Sequence, residues 1–170
     1  MHRIVPIVAL ALCSCSPVGA PVRDTSPPVE FDSECGDPRA ESTAWRLLAG
    51  TVVEIVDGDS IVVQTGGTRR RIDLAAVDAS DADDAARAAL ARLLNHAVDV
   101  AVSFDQPDRS GVGVVHAQRR DINRELLATG AARYREPVAY TMSNYTACVY
   151  RIVERQARDA QRGLWRHASR

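Results

Sequence analysis

In one segment of this chain, acidic residues stand at the ends of apolar runs. Asp57 and Asp59 separate two runs of β-branched residues, and Asp78 and Asp81 follow a third run. Alternating β-branched residues around turn residues predict strand–turn–strand, so these carboxylates would fall at strand ends. Carboxylate oxygens without soft donors suit a hard cation such as Ca²⁺. The alternative is that Asp-Gly is only a hairpin turn and that the other acids are solvated.

The pattern around these acids predicts a mainly β domain. Five strands and three helices are predicted, with strands at 45–56, 60–65, 68–77, 98–104 and 112–117 and helices at 81–96, 122–129 and 143–162. Ser80 or Asp81 is the predicted N-cap of the first helix, and Gly130 suits the left-handed position that ends the second. This order indicates an α+β (mainly β) fold, a five-stranded OB-fold barrel with three helices.

The N-terminus predicts export. A basic tip is followed by the short apolar run 4–12 and small residues, a secretory signal pattern that is too short for a stable membrane span. Leu12-Cys13-Ser14-Cys15 resembles a bacterial lipobox, in which the last cysteine carries the lipid. We therefore expect a signal peptide over 1–15 and a membrane anchor on Cys15. The expected location is the cell envelope, the periplasm or the outside of the cell.

Residues 16–44 predict a disordered tether, because Pro, Ser, Asp and Glu dominate without periodicity. Besides the anchor, Cys35 and Cys148 remain after signal removal, and an oxidising compartment favours a disulfide between them. The alternative is a buried free thiol at Cys148 and an unpaired one at Cys35. The folded domain is expected over 45–166, as a monomer.

Charge is divided along the chain. Residues 119–170 carry 11 arginines against 5 acidic residues, whereas residues 16–118 carry 9 against 17. The basic third could face an anion such as a nucleic-acid backbone, although ordinary charged helix surfaces give the same count. The sequence offers no Ser–His–Asp or thiol–imidazole arrangement that would indicate a different chemistry.

Five motifs occur in the order found in one known family: Asp57-Gly58-Asp59-Ser60, Leu74-Ala75-Ala76-Val77-Asp78-Ala79, Arg120-Asp121-Ile122-Asn123, Gly130-Ala131-Ala132 and Arg162-Gly163-Leu164-Trp165. Together they resemble the staphylococcal nuclease (thermonuclease-like) family, from Leu48 to Arg166. The resemblance implies an OB-fold barrel with three helices and, in active members, Ca²⁺-dependent cleavage of DNA and RNA phosphodiesters. It aligns Asp59 and Asp78 with the two carboxylate ligands of Ca²⁺, and the backbone carbonyl of Ala79 with the third protein ligand.

The catalytic positions of that family are altered in this chain. The first catalytic arginine, five residues before the second metal aspartate, aligns with Asp73, where a carboxylate would repel the phosphate that a guanidinium binds. The catalytic glutamate aligns with Asp81, which is one methylene shorter. The second arginine aligns with Val112 if Ser-Gly is matched to Tyr-Gly, or with Arg109 if the arginine itself is matched.

These alterations favour a staphylococcal-nuclease-like domain that is catalytically impaired and binds a divalent cation and nucleic acid. A second hypothesis is an active Ca²⁺-dependent phosphodiesterase in which Arg71 and Arg109 replace the missing arginines and Asp81 is the catalytic carboxylate. A third is an envelope binding or structural module in which the acidic residues have no role.

Overall fold

The computed structural model describes residues 32–38, 46–94, 97–105, 110–137 and 142–167. Within these ranges the chain forms eight strands, four α-helices and a final 3₁₀ helix. In chain order they are α1 (Asp32–Cys35), β1 (Arg46–Ile55), β2 (Ser60–Thr65), β3 (Thr68–Leu74), β4 (Val77–Asp78), α2 (Asp83–Leu93), β5 (Ala97–Asp105), β6 (Ser110–Ala117), β7 (Arg120–Asp121), α3 (Ile122–Thr129), β8 (Arg133–Tyr134), α4 (Asn144–Asp159) and the 3₁₀ helix (Gly163–His167).

Five of these strands close into a barrel. β1 pairs with β2 on one side and with β5 on the other, β2 continues to β3, and β5 continues to β6, all antiparallel. A parallel pairing between β3 and β6 joins the two ends, with Asp73 opposite Val112. Closure pairs each of these strands on both sides, as in OB-type barrels. The predicted fold, a mainly β barrel of five strands with three main helices, is confirmed.

Strand alternation sends one set of aliphatic side chains into the barrel. Ile61 and Val63 of β2 are buried, and so are Ile72 and Leu74 of β3. Helices α2 and α3 add to the same cluster, with the buried residues Ala86, Ala89, Leu90, Ile122 and Leu126. A second cluster combines residues of α3 and α4, among them Leu127, Val149, Tyr150 and Val153. Helix α3 therefore contributes to both halves of the core.

Asn123, in the first turn of α3, joins this helix to the barrel. Its side chain is fully buried, accepts a hydrogen bond from the N–H of Val115 at 3.0 Å, and donates to the carbonyls of Ala75 at 3.0 Å and Gly113 at 3.1 Å. A buried amide is stable only when its donors and acceptor are paired, as they are here. The contact fixes the connection between β3 and β4 against β6, and β4 carries one of the predicted metal ligands.

The predicted helix ends are partly right. Gly130 ends α3 in the left-handed region with φ 68°, as predicted. The predicted N-cap of α2 is wrong, because α2 follows Ala82, whose side chain makes no capping hydrogen bond. The N–H of Ser80 donates to the Asp78 carboxylate, and the Asp81 carboxylate binds Arg133. Both predicted caps are therefore engaged elsewhere.

The predicted tether is ordered over residues 32–38. Helix α1 lies in this segment, and its last residue, Cys35, forms a disulfide with Cys148 of α4 at a Cα–Cα distance of 5.6 Å. Glu34 accepts two hydrogen bonds from one guanidinium nitrogen of Arg155, at 3.0 and 3.2 Å. The covalent bond and this ion pair hold the segment against α4, which composition alone did not indicate.

The Arg-Gly-Leu-Trp motif has a packing role. Gly163 has φ 51°, and a Cβ at this position would overlap the carbonyl of Gly130, which accepts a hydrogen bond from Leu164 at 2.9 Å. The buried ring of Trp165 has the guanidinium carbons of Arg133 and Arg158 over it, 4.7 and 4.5 Å from its centroid. The motif thus joins the end of α4 to the end of α3.

The predicted signal peptide over 1–15, the lipidated Cys15 and the candidate Arg109 lie outside the described residues. In the part of the chain that the structure describes, no helix combines the length and apolar character needed to cross a membrane.

Candidate functional site

The turn between β1 and β2 is built around the Asp57 side chain. Its Oδ1 accepts hydrogen bonds from the N–H of Asp59 at 3.1 Å and from the hydroxyl of Ser60 at 2.6 Å. Gly58 packs so closely against the end of β4 and the start of α2 that a Cβ there would lie 2.6 Å from the Cβ of Ala79. The turn therefore needs both the aspartate and the glycine, and it is pressed onto β4.

Asp59 is fixed between the ends of β3 and β4. Its carbonyl accepts a hydrogen bond from Leu74 at 2.7 Å, and its Oδ2 accepts one from the N–H of Ala79 at 3.3 Å. Burial raises the pKa of Asp59, and the neighbouring Asp57 carboxylate raises it further. Two carboxylates that perturb each other in this way form a negative site, which a cation would stabilise.

Asp78, the last residue of β4, lies in the same region and is more exposed. Its Oδ1 accepts a hydrogen bond from the N–H of Ser80 at 3.0 Å. The hydrogen bonds from Ser80 lower the pKa of Asp78, and the charges of Arg135 and Arg133 lower it further. The carboxylate is therefore ionised at neutral pH and can act as a ligand.

The oxygen atoms at this site match the ligands of a hard cation only in part. Asp59 and Asp78 present carboxylate oxygens, which are the ligands that Ca²⁺ prefers. The carbonyl of Ala79 already accepts a hydrogen bond from Ala82 at 2.9 Å. No group of three or more acidic, histidine or cysteine side chains suited to a metal ion occurs in the described ranges. Any cation held here would need water for most of its coordination.

Arg71 reaches the acidic turn from β3. Its guanidinium donates to Asp73 at 3.1 Å, to Asp57 at 3.2 Å and to the Ser60 hydroxyl at 3.0 Å. About half of its side chain is exposed, so each ion pair is screened by solvent. Arg71, which the second hypothesis assigns to catalysis, therefore has its guanidinium already committed to two carboxylates.

Asp73 and Val112 are direct neighbours. They are the positions of the two catalytic arginines when Ser-Gly of this chain is matched to Tyr-Gly of the family that it resembles. They are partners in the parallel ladder between β3 and β6. A cavity of ≈ 390 Å³ opens beside them, and its remaining lining residues are Leu74, Ala76, Arg135, Glu136 and Pro137. The two positions thus share one cavity, where this chain places an acid and an aliphatic side chain.

Arg135 and Glu136 form the wall of this cavity opposite the barrel. The N–H of Arg135 donates to the carbonyl of Ala76 at 3.1 Å, directly after β8 has paired with β4. Glu136 accepts a hydrogen bond from the hydroxyl of Tyr134 at 3.0 Å. Burial and this hydrogen bond raise the pKa of Tyr134 to about 12, so the phenol stays a donor at neutral pH.

Asp81, the predicted catalytic carboxylate, is not among the residues that line this cavity. Its Oδ2 binds the guanidinium of Arg133 at 2.7 Å, and its side chain is more than half exposed. Arg133 is itself the ladder partner of Asp78 and lies over the Trp165 ring. In this arrangement Asp81 belongs to a surface ion pair rather than to the cavity.

A larger cleft, of ≈ 550 Å³, lies between α2 and the 3₁₀ helix. Its walls are mainly alanine, leucine and glycine, with Arg92 and Arg166 among them, and none of the acids described above lines it. Of the charged residues described above, Asp73, Arg135 and Glu136 line the smaller cavity.

The OB-type barrel, with acids at the β1–β2 turn and at the end of β4, agrees with the fold that the sequence motifs imply. The family model of staphylococcal nuclease homologues matches residues 72–167. A micrococcal nuclease of Shigella flexneri is 33% identical over 141 residues, which cover 72% of this chain and 76% of that protein. This chain belongs to the staphylococcal nuclease family.

Proposed function

We propose that this domain binds a divalent cation and nucleic acid at the acidic end of its barrel but hydrolyses phosphodiesters poorly. The single observation that supports impaired catalysis is the neighbouring pair of Asp73 and Val112, which share one cavity. Hydrolysis builds up charge on phosphoryl oxygens, and fixed guanidinium groups stabilise that charge. A carboxylate and an isopropyl group provide none of that stabilisation.

The cation would be held by Asp59 and Asp78, with the Ala79 carbonyl as a third protein ligand and water around it. When bound, Ca²⁺ would neutralise the acidic turn and attract a phosphate. Without it, Asp57, Asp59 and Asp78 would repel a polyanion, so nucleic-acid binding should depend on the cation.

One observation favours the alternative of an active nuclease. The Arg71 guanidinium reaches the acidic turn and lies 3.1 Å from the carboxylate of Asp73. To bind a phosphate it would have to release Asp73 or Asp57, and Asp81 would have to leave Arg133. Because these contacts hold both Arg71 and Asp81, the active nuclease is the second choice.

The direct test is cleavage of end-labelled single-stranded DNA in millimolar Ca²⁺. We expect binding without cleavage, and a rise in melting temperature with Ca²⁺ that Asp59→Ala abolishes, because a ligand that binds only the native state stabilises it. Ca²⁺-dependent cleavage that is lost in Asp59→Ala would favour the active nuclease instead. No change in melting temperature with Ca²⁺ would reject the cation site.

Export and lipid attachment at Cys15 are proposed on the sequence pattern alone. Metabolic labelling with a fatty acid should mark the wild-type protein, and Cys15→Ser should remove the label. A labelled Cys15→Ser protein would show that this cysteine is not the attachment point.

A further inference from the structure

Among the arginines that the structure describes near the acidic β1–β2 turn, Arg71 and Arg133 are occupied. Arg71 binds Asp73 and Asp57, and Arg133 binds Asp81 and lies over an indole ring. The exposed guanidinium of Arg135 makes no hydrogen bond or ion pair within the described residues. Arg135 is therefore the guanidinium near the acids that a ligand can engage without breaking an existing contact.

The backbone of Arg135 is held in place, so its side chain starts from a fixed point. The preceding residue, Tyr134, pairs with Val77 of β4 and donates its N–H to Glu154 of α4 at 3.0 Å. Arg135 itself donates to the carbonyl of Ala76. A binding residue on a fixed backbone loses less conformational freedom when its ligand arrives.

Backbone contacts place Arg135 near the predicted metal ligand Asp78. Arg135 directly follows β8, in which Arg133 pairs with Asp78 of β4. Its own N–H donates to the carbonyl of Ala76, two residues before Asp78. An anion bound by Arg135 would therefore lie near the Asp78 side of the cation site proposed above.

Two acids, Asp73 and Glu136, line the cavity with Arg135, and each of them has a partner. Arg71 compensates the charge of Asp73, and the Tyr134 hydroxyl binds Glu136. The apolar wall formed by Leu74, Val112 and Pro137 excludes water from one side, which strengthens a charged hydrogen bond.

We propose that Arg135 binds a phosphodiester oxygen of single-stranded nucleic acid in the cavity beside Asp73 and Val112. This inference rests on the proposed function, since it names the residue that contacts the bound nucleic acid. A guanidinium suits the contact because two of its N–H groups can bind the two free oxygens of one phosphodiester.

The test is fluorescence anisotropy with a labelled single-stranded 12-mer DNA in millimolar Ca²⁺, over a series of salt concentrations. Arg135→Gln should weaken DNA binding by about 10-fold or more. It should also reduce the slope of the logarithm of the binding constant against the logarithm of the salt concentration (the salt slope) by about 0.7, the value for one lost phosphate contact. Arg119→Gln is the matched control, because this exposed arginine lies in the turn after β6, beyond its end remote from Val112. It removes the same charge and should change neither quantity. Melting curves check that both variants fold.

The possible results of this experiment separate the role of Arg135 from the proposed function. Unchanged affinity and salt slope in Arg135→Gln, with Ca²⁺-dependent binding lost in Asp59→Ala, would overturn the role of Arg135 and leave the proposed function standing. No DNA binding by the wild-type protein would overturn both. Arg135-dependent binding of polyglutamate with equal affinity would overturn the assignment to a phosphodiester. Partial recovery in Arg135→Lys would support the contact, since lysine keeps the charge but not the paired N–H groups.

Discussion

Replacing both Asp73 and Val112 by arginine should convert this domain into a nuclease with measurable activity. The two positions are partners across the parallel β3–β6 ladder, so their backbones are about 4.8 Å apart. Side chains from both positions would enter the same cavity. The double variant tests whether these two substitutions account for the impaired catalysis that we propose.

The size of the effect can be estimated from the charges. Two unit charges about 5 Å apart interact by about 3 kcal/mol at an effective dielectric constant of about 20, equivalent to roughly 200-fold in rate. Arg71 lies 3.1 Å from Asp73 and compensates part of its charge, so Asp73→Asn alone should gain only about 10-fold. One well-placed donor to a transition-state oxyanion is worth about 100-fold to 1,000-fold. The double variant should therefore exceed the wild type by at least about 100-fold.

The assay is single-turnover cleavage of end-labelled DNA at saturating protein and Ca²⁺. Val112 is partly buried beside the second core cluster, so an arginine there should cost about 1–3 kcal/mol of stability, which a urea titration measures. Asp73→Arg with Val112→Met is the control, because it changes the volume at position 112 without the second guanidinium. A folded double variant that binds DNA yet cleaves no faster than the wild type would refute the reasoning.

Three further predictions concern stability. Reduction of the disulfide between Cys35 and Cys148 should lower the unfolding free energy by up to about 4.8 kcal/mol, because it opens a loop with a sequence separation of 113; melting curves with and without reductant measure this. Gly163→Ala should cost about 2–4 kcal/mol, because a Cβ there overlaps Gly130 and meets a positive φ; urea unfolding is the assay. Asn123→Ala should cost about 3 kcal/mol or more in the same assay, because the N–H of Val115 and the carbonyl of Ala75 lose the Asn123 side chain in the core, and the carbonyl of Gly113 keeps only its bond from Ala75.

Each of these predictions has a control. The melting temperature of a Cys35→Ser/Cys148→Ser protein should not change with reductant. If it falls as much as that of the wild type, the loss of stability does not come from opening the disulfide. Gly66→Ala is matched to Gly163→Ala, since Gly66 also has φ 51° but has nothing within 4 Å of the Cβ position. Equal losses in the two glycine variants would contradict the packing explanation. A loss under about 1 kcal/mol in Asn123→Ala would mean that water replaces the lost contacts.

Local sequence features were sufficient for the barrel and for the acidic turn. The alternation in β2 and β3 follows from burial of one strand face, and Gly130 ends α3 because glycine accepts a positive φ without strain. The cap of α2 could not be found this way. Asp81 has the right side chain for a cap, but its partner Arg133 lies 52 positions later in the sequence. Contacts over such distances depend on the closed fold.

Arg135 was missed for the same reason. Its sequence neighbourhood, Arg-Tyr-Arg-Glu, has no periodicity and no motif, and it reaches the acids only because the two-residue strands β4 and β8 pair. Two-residue strands have no alternation to detect. The signal that could have identified Arg135 is the covariation of paired positions, which a single sequence does not contain.

The disulfide also decides where the domain would bear a mechanical load. A pull applied to the chain before Cys35 would pass through the sulfur bridge into α4 at Cys148. The force would then bypass the N-terminal end of β1 and would not peel that strand from the barrel. After reduction the same force would reach β1 at its N-terminal end, where strands separate one hydrogen bond at a time. The state of the disulfide therefore determines whether α4 or β1 bears the load.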